Sequence, residues 1–377
     1  MKKILVLTDD MPWGHRSIAK AIYSYLKTDE EKNKFLVEYA AIKTNGGITD
    51  EIYKFYYKYS PKLGKFIYNS ANNRLANKIV KDRAKKNLPG LKKIIKEIKP
   101  DLIISAYFLH SHSLALWRDE AKVSFKFWTV VADPWTIYPM SIVSGVDLHL
   151  VYDEVGFDLA IKMGVPKDKI LISGWWVRQE MYKQVDKEKA RKLLDIKDDR
   201  PVVFIGGGSL GTSALPKLLP NMFFLKKKVT FVINTGADKL SYNLVESYVK
   251  LLNKIRKDNM VLVKSMGWIE DMAQVLSVSD IVFGKAGPNF LFDCVACKKP
   301  FVAITHIGGQ EDGNIDLIKK KKLGWVKEKT DEMNKFLVEY LENPEYYENK
   351  FRENIEIEAE KNKKTMSMIL ERVKKEL

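Results

Sequence analysis

A short segment in the second half of the chain combines residue types that could bind a phosphorylated ligand. The apolar strand Ile281–Phe283 runs through Gly284 into residues 285–289, Lys-Ala-Gly-Pro-Asn, and then into an apolar helix, Phe290–Ala296. Backbone N–H groups and the positive end of a helix dipole meet at such a loop, and proline at position 288 suits a first helical turn. The segment favours binding of a diphosphate without a metal ion, although an ordinary strand–helix turn has similar glycine content.

Side chains that could hold a nucleotide and a sugar flank this loop. Asp293 on the following helix could accept hydrogen bonds from ribose hydroxyls, or it could be a solvated helix charge. Gln310 and Glu311 end the next strand and could bind sugar hydroxyls or cap a helix. Trp268 could pack against a nucleobase or lie in the core. Together they indicate a nucleotide-sugar site within residues 268–314.

Two residues of the first half could take a proton from an acceptor. His15 lies where a strand meets a helix, and Asp133 follows a strand and precedes Pro134. Because both positions end strands, we expect them at the carboxyl edge of one sheet, where ligands bind in such folds. Sugar transfer to a hydroxyl needs a general base. Asp133 is the predicted base and His15 its assistant or rival, while a polar helix-start residue is the alternative for His15.

The sequence predicts no metal site and no cofactor. Asp9 and Asp10 are adjacent rather than spaced for chelation, and Cys294 and Cys297 lack two further ligands at matching spacing. We interpret the cysteines as small buried residues on a helix, and two cysteines fit a reducing compartment. The apolar run Ile4–Leu7 is too short for a signal peptide, so we expect a cytoplasmic protein.

A basic, aromatic segment indicates a further partner. The net charge of +16 favours nucleic acid, an anionic membrane or phosphorylated substrates. Rings and lysines are interleaved within residues 52–68, at Tyr53, Lys54, Phe55, Tyr56, Tyr57, Lys58, Tyr59, Lys62, Lys65, Phe66 and Tyr68. This pattern is typical of a membrane interface, but a core helix with solvated lysines or a surface for single-stranded nucleic acid would share it.

The elements that must position these residues alternate between strand and helix. The predicted strands are Lys3–Thr8, Phe35–Ala41, Asp101–Ser105, Phe125–Val131, Val146–Tyr152, Pro201–Ile205, Val229–Asn234, Met260–Val263, Ile281–Phe283 and Phe301–Ile304. Strands separated by helices predict parallel sheets covered on both faces. We predict two Rossmann-like, doubly wound α/β domains facing a cleft, residues 1–180 and 195–343, followed by a helical segment, residues 344–377.

The ordered set of motifs resembles a known family over nearly the whole chain. The matching pieces are Gly14-His15-Arg16, residues 100–105 (Pro-Asp-Leu-Ile-Ile-Ser), residues 129–133 (Thr-Val-Val-Ala-Asp), Pro139, Gly145-Val146-Asp147, Gly206-Gly207-Gly208, Met266-Gly267-Trp268, Lys285-Ala286-Gly287-Pro288 and Gly309-Gln310-Glu311 with Asn314. They are similar to those of the diacylglycerol glycosyltransferases, including monogalactosyldiacylglycerol synthase, and of MurG-like enzymes. The resemblance implies a GT-B fold, a UDP-sugar donor and inversion at the anomeric carbon.

The resemblance also implies roles for individual residues. The implied donor-binding residues are Gly207, Gly208, Ser209, Trp268, Ile269, Lys285, Ala286, Gly287, Pro288, Asp293, Gln310, Glu311 and Asn314. Asp133 and His15 would act at the acceptor, and the implied acceptor or membrane contacts are Trp13, Tyr53, Tyr56, Tyr57, Lys58 and Lys62. Three features depart from the family: Asp293 stands where glutamate is usual, Pro12-Trp13 replaces glycines, and Tyr138 stands where the diacylglycerol enzymes often carry histidine.

These observations predict an inverting, metal-independent hexosyltransferase. It would move a sugar from a UDP-sugar to a membrane lipid, diacylglycerol or a related glycolipid, at the inner face of the cell membrane. The expected partners are the UDP-sugar, an anionic membrane surface and the lipid acceptor, and no nucleic acid. The alternatives are a UDP-sugar 2-epimerase with the same fold and a non-catalytic module that binds sugar nucleotides or membranes.

Overall fold

The computed structural model describes most of the chain as two compact units. The described residues are 1–11, 14–28, 30–44, 74–121, 123, 125–206 and 215–377. The first unit comprises Met1–Gln179, Ile307–Gly313 and Lys361–Leu377, and the second comprises Glu180–His306 and Asn314–Glu360. Each unit contains a six-stranded sheet.

The sheet of the first unit is parallel, with strand order β2-β1-β3-β4-β5-β6. Its strands are β1 (Lys2–Asp9), β2 (Phe35–Ile42), β3 (Leu102–Ser105), β4 (Lys126–Val130), β5 (Leu148–Val151) and β6 (Ile170–Ile172). The residues of the run Ile4–Leu7 in β1 are fully buried. A parallel strand covered on both faces needs such a continuous apolar run.

The sheet of the second unit is also parallel, with strand order β12-β11-β10-β7-β8-β9. Its strands are β7 (Val202–Gly206), β8 (Val229–Asn234), β9 (Val261–Met266), β10 (Ile281–Lys285), β11 (Phe301–Thr305) and β12 (Gly324–Val326). The predicted α/β class with two parallel sheets is confirmed. In such sheets the carboxyl ends of the strands form the ligand-binding edge.

Helices connect the strands of both sheets. They are α1 (Gly14–Thr28), α2 (Glu30–Asn33), α3 (Arg74–Ile98), α4 (Phe108–Ala121), α5 (Glu154–Lys162), α6 (Lys187–Leu193), α7 (Leu215–Leu218), α8 (Lys239–Ile255), α9 (Met272–Val278), α10 (Pro288–Ala296), α11 (Asp312–Lys320), α12 (Thr330–Glu342), α13 (Pro344–Asn349), α14 (Arg352–Lys363) and α15 (Thr365–Glu376). Short 3₁₀ turns occur at Pro139–Ser141, Lys167–Lys169, Gln179–Tyr182 and Leu219–Phe223. Among the described residues, no helix combines the length and apolar composition that a membrane span requires.

Each unit has its own hydrophobic core. In the first unit, Leu5 and Phe127 of the sheet pack with Leu91 of α3 and Trp117 of α4. In the second unit, the core contains residues of β7, β8 and β10 together with side chains of α8 and α12. The sheet edges that carry candidate site residues are therefore mounted on rigid layers.

Two strands and the division of the chain differ from the predictions. β6 and β12 were not predicted, because each has three residues and is too short to show a period of two. The helical segment predicted at residues 344–377 is not separate: α13 belongs to the second unit and α15 to the first. Residues 307–313 were predicted within the second domain, but they belong to the first unit.

A buried amide attaches the end of the chain to the first unit. The side-chain oxygen Oδ1 of Asn362 accepts a hydrogen bond of 2.8 Å from the backbone N–H of Trp175. Trp175 follows Gly174, whose φ is +79°, and a Cβ on that glycine would lie 2.3 Å from Oγ1 of Thr365. The close approach requires glycine, and it brings the junction of α14 and α15 against the segment after β6.

Replacing Asn362 tests this attachment. We expect Asn362→Ala to lower the free energy of unfolding by about 1–3 kcal/mol, because it leaves the buried N–H of Trp175 without its acceptor. The measurement is thermal unfolding followed by circular dichroism. The exposed neighbour Lys363→Ala is the control, and equal melting temperatures for both variants would contradict the assignment.

Candidate functional site

The predicted diphosphate loop is held by the backbone of the second sheet. Gly287 is the N-cap residue of α10, Pro288 is the first helical residue, and no side chain caps the helix. The Ala286 N–H donates to the carbonyl of Thr305 at 2.9 Å, and Nδ2 of Asn314 donates to the carbonyl of Ala286 at 2.8 Å. An uncapped helix start on a fixed loop is an arrangement that favours an anion. Asn314, a predicted donor contact, is buried here and fixes the loop.

Two glycines permit the close packing beneath this loop. A Cβ on Gly284 would lie 2.7 Å from the ring of Phe290 and 3.1 Å from the carbonyl oxygen of Gly206. A Cβ on Gly206 would lie 3.2 Å from the same ring. The phenylalanine ring therefore occupies the space that side chains at these positions would need. Lys285 follows at a register shift between β10 and β11, and its side chain is half-buried.

Trp268 is an exposed aromatic residue of the second unit. Its side chain is 66% exposed, so the core interpretation is wrong. The loop that carries it is pinned to β8, because Nδ2 of Asn234 donates to the carbonyl of Gly267 at 2.6 Å and the N–H of Thr235 donates to that of Met266 at 2.9 Å. A rigidly mounted, solvent-facing indole is suited to stacking on a planar base. Ile269, beside it, is half-buried.

Asp293 lies in the middle of α10 and is half-buried. Burial raises the pKa of Tyr182, and the charge of Asp293 adds to this rise, so the two side chains are close. Cys294 is fully buried, and Cys297 is half-buried at the helix end; both are free thiols. Within the described part of the chain, no group of three His, Cys, Asp or Glu side chains could hold a metal ion.

In the first unit, Asp133 follows β4 and has an unusual acidity. Burial raises its pKa to about 7; the negative charge of Glu311 adds to the rise, while hydrogen bonds from the Gln310 side chain and the Tyr138 backbone oppose it. The ordinary value is 3.8. A carboxylate with a pKa near 7 can take a proton from a substrate and release it again near neutral pH.

The Gln-Glu pair belongs to a braced loop after β11. Oε2 of Glu311 accepts a hydrogen bond of 2.8 Å from the backbone N–H of Ile307. Oδ1 of Asp312 accepts one of 2.9 Å from Gly309, and the N–H of Gly313 donates to Oγ1 of Thr136 at 2.6 Å. Since the loop is part of the first unit, the predicted sugar contacts Gln310 and Glu311 lie beside the predicted base.

His15 is the second residue of α1, the helix that follows β1. Burial lowers its pKa, while a hydrogen bond to the Ala106 backbone and the charge of Asp9 oppose the shift. Its ring meets that of Tyr107 edge-on, with centroids 5.2 Å apart. Nδ1 of His15 is buried and has no hydrogen-bond partner among the described residues. A neutral imidazole with an unused lone pair is able to accept a proton.

The sequence interpretation missed a buried carboxylate beside His15. Asp9, which was considered only as a chelator, is 3% exposed. Its two oxygens accept hydrogen bonds from the backbone N–H of Met11, at 2.7 Å, and of Thr44, at 3.2 Å. Burial lowers the pKa of His110, and the charge of Asp9 opposes this shift as well. The available signal was its position as the last residue of a buried strand, directly before the loop that leads to His15.

Some predicted contacts lie outside the described residues. They are Trp13, Tyr53, Tyr56, Tyr57, Lys58, Lys62, Gly207, Gly208 and Ser209.

Two protein family models match the two halves of the chain. Residues 15–177 match the family described as monogalactosyldiacylglycerol (MGDG) synthase, and residues 202–373 match the glycosyltransferase family 28 C-terminal domain. Each match covers slightly less than half of the chain, and both family models describe glycosyltransferases. The predicted family resemblance and the predicted enzyme class, a glycosyltransferase, are therefore confirmed. Both family models favour a glycosyltransferase over the epimerase.

Two relatives illustrate the similarity of the glycosyltransferase to known proteins. It is 26% identical to a probable chloroplastic monogalactosyldiacylglycerol synthase of Glycine max, over 92% of this chain and 66% of that protein. It is 22% identical to a processive diacylglycerol beta-glucosyltransferase of Bacillus licheniformis, over 83% of this chain and 80% of that protein. The chain thus spans slightly less than two thirds of the soybean protein.

Solved structures share the fold of the glycosyltransferase. MurG of Acinetobacter baumannii has a TM-score of 0.59 at 14% identity, and the match covers 100% of each chain. A UDP-GlcNAc 2-epimerase of Neisseria meningitidis bound to UDP-GlcNAc has a TM-score of 0.64 at 15% identity, also over 100% of each chain. The predicted GT-B architecture is confirmed, and because enzymes of both kinds share it, the fold by itself does not decide the reaction.

The raised pKa of Asp133 has a consequence for stability. Between its ordinary value of 3.8 and about 7, the folded state binds more protons at this carboxyl than the unfolded state does. The free energy of unfolding therefore falls as the pH rises through this window, and the full loss is present above pH 7. We expect Asp133→Asn to melt at least about 2 °C above the unsubstituted protein at pH 8, with a smaller difference at pH 5.

Melting temperatures at both pH values measure this effect. Asp158→Asn removes an exposed carboxylate of the same unit and serves as the control. A difference for Asp133→Asn that is the same at pH 5 and pH 8 would mean that the carboxyl has an ordinary pKa.

Asp9 and Asp10 form a matched pair for testing the carboxylate beside His15. We expect Asp9→Asn to lower the pKa of the His15 imidazole further, because the charge that opposes its burial is lost. The exposed Asp10→Asn removes the same charge one residue away and should change it much less. Titration of the histidine side-chain resonances by NMR is the measurement, and equal shifts in the two variants would exclude a specific role for Asp9.

Proposed function

We propose that this glycosyltransferase moves a sugar from a UDP-sugar to the hydroxyl of a diacylglycerol-type lipid, with inversion at the anomeric carbon. The observation that carries the proposal is the environment of Asp133. A carboxyl whose pKa is about 7 lies beside Gln310 and Glu311, the residues that the sequence motif assigns to the sugar. A base tuned to neutral pH next to sugar-binding groups is what transfer to a hydroxyl requires.

The donor is assigned to the second unit. The uncapped start of α10 at Gly287 suits a diphosphate without a protein-bound cation, and the exposed indole of Trp268 suits the uracil ring. The epimerase of similar fold was solved with UDP-GlcNAc, which supports a UDP-sugar as the donor. Asp293 is the proposed partner of the ribose hydroxyls.

The acceptor is assigned from the first-half family and from the charge of the chain. The relatives are named as diacylglycerol glucosyltransferase and monogalactosyldiacylglycerol synthase, and the chain carries a net charge of +16. Such a charge attracts the protein to anionic lipid, where the acceptor is dissolved. We propose a peripheral location at a membrane surface for the same reason.

The proposed transfer is one displacement. The acceptor hydroxyl loses its proton to the Asp133 carboxylate as its oxygen forms a bond to the anomeric carbon of the donor. The bond between that carbon and the diphosphate oxygen breaks on the opposite face, and its electron pair leaves with UDP. The helix start at Gly287 stabilises the developing negative charge. His15 assists by accepting a hydrogen bond from the acceptor through Nδ1.

Incubation of the whole chain with UDP-glucose, UDP-galactose or UDP-GlcNAc and diacylglycerol in mixed micelles tests the function. We expect a new glycolipid with at least one donor by mass spectrometry, a β-linkage by NMR, and the same rate in the presence of EDTA. The initial rate should rise with pH and level off above about pH 7, as the base ionises. Asp133→Asn should reduce the rate by about 10²–10⁴-fold.

Two results would overturn parts of this proposal. Absence of glycolipid with every donor, with the 2-epimer of a UDP-sugar accumulating, would favour the epimerase reaction. His15 would be the base if Asp133→Asn transferred sugar at an unchanged rate and His15→Gln lost the rise of the rate with pH that ends near pH 7. Asp158→Asn is again the control for loss of a carboxylate.

A further inference from the structure

Helix α8 of the second unit has an apolar stripe that faces solvent. Its members are Leu240, 75% exposed, Leu244, 52%, Leu251, 49%, and Ile255, 60%. At about 100° per residue these four positions fall within about 60° of one another around the helix axis. Singly exposed aliphatic residues are common, but four of them on one face of a helix, in two pairs with Ser247 between them, form a larger apolar surface.

The fold does not need this stripe. A different face of α8, about 100° around the helix axis, supplies Val245 and Leu252, which are fully buried in the core of the second unit. Tyr248 packs against the ring of Phe223 at 5.2 Å between centroids. The helix is therefore anchored by one apolar face, and the second apolar face is free to meet something outside the unit.

A further exposed ring extends the surface at the end of the helix. Phe224 is 77% exposed, and the chain next to it is tied to the helix end by Arg256. The guanidinium Nη1 of that arginine donates to the carbonyl of Met222 at 3.0 Å and to that of Phe223 at 3.3 Å. Phe224 thus follows a segment that is tied to the end of α8, and we call these five exposed side chains, Leu240, Leu244, Leu251, Ile255 and Phe224, the α8 surface.

The charges around the α8 surface are mainly positive. Residues 224–257 include seven lysines and one arginine against one aspartate and one glutamate, an excess of six positive charges. All seven lysines are exposed: Lys226, Lys227, Lys228, Lys239, Lys250, Lys254 and Lys257. Apolar and aromatic side chains bordered by lysines match the boundary between acyl chains and anionic headgroups.

We propose that the α8 surface docks the glycosyltransferase on an anionic membrane. The four aliphatic side chains and Phe224 enter the boundary between headgroups and acyl chains, and the lysines contact headgroup phosphates. A second copy of the chain fits less well, because a symmetric pair would bring two lysine borders together. The inference deepens the proposed function by giving the second unit a membrane contact distinct from the aromatic segment at residues 52–68.

Vesicle flotation of two matched double variants tests the docking. Leu244→Glu/Leu251→Glu places two carboxylates in the stripe, and Asn243→Glu/Asn253→Glu places two on exposed polar positions of the same helix. With vesicles of phosphatidylcholine and phosphatidylglycerol, we expect the stripe variant to bind at least about tenfold more weakly than the polar-face variant. All three proteins should bind weakly to vesicles of phosphatidylcholine alone.

Further measurements separate docking from folding, self-association and catalysis. Circular dichroism establishes that the variants fold, and transfer to a short-chain acceptor in detergent should proceed equally in both, because neither change touches the site. Equal vesicle binding by the two variants would overturn the proposal. The proposal would also be overturned if the unsubstituted chain formed a dimer, and if the stripe substitutions abolished that dimer but left vesicle binding unchanged. Stripe-dependent vesicle binding without any glycolipid formation would leave docking established and reject the lipid-transfer function.

Discussion

Burial of the Asp133 carboxyl beside a second carboxylate is the constraint on which the chemistry of the first unit depends. An isolated buried carboxylate is costly, and the charge of Glu311 increases that cost. Gln310 and the Tyr138 backbone offset part of it by hydrogen bonding, which leaves a group that ionises near neutral pH. The braces of the loop, Ile307 to Glu311 and Gly313 to Thr136, are what hold these neighbours in place. The acidity is therefore a property of the loop as much as of the aspartate.

The loop proposed to bind the donor is stabilised in a different way. There the backbone N–H groups at the start of α10 are available, and several side chains serve to position the loop. Asn314 fixes the carbonyl of Ala286, and glycines at 206 and 284 leave room for Phe290 beneath the loop. Under the proposed function, this rigid backbone would be preorganised for a diphosphate and would not have to reorganise when charge develops on the leaving group.

Much of the fold followed from the sequence, because long apolar runs and helical spacing are local signals. Both parallel sheets and most strands were predicted from them, whereas the three-residue strands β6 and β12 carry too little pattern. The motif residues were found by their order along the chain. What could not be predicted was spatial: the exposure of Trp268, the membership of residues 307–313 in the first unit, and the placement of Asp9 beside His15. Each of these depends on contacts between segments that no local spacing encodes.

The chain passes between the two units four times, at residues 179–180, 306–307, 313–314 and 360–361. The second half of the chain therefore supplies Gln310 and Glu311, neighbours that influence the pKa of Asp133 in the first half. A recombination event that exchanged only the second half would bring a new nucleotide-binding loop and a new acidity for Asp133 together. Under the proposed function, donor preference and pH dependence would therefore be exchanged together, and cutting the chain between its halves would separate Asp133 from Gln310 and Glu311.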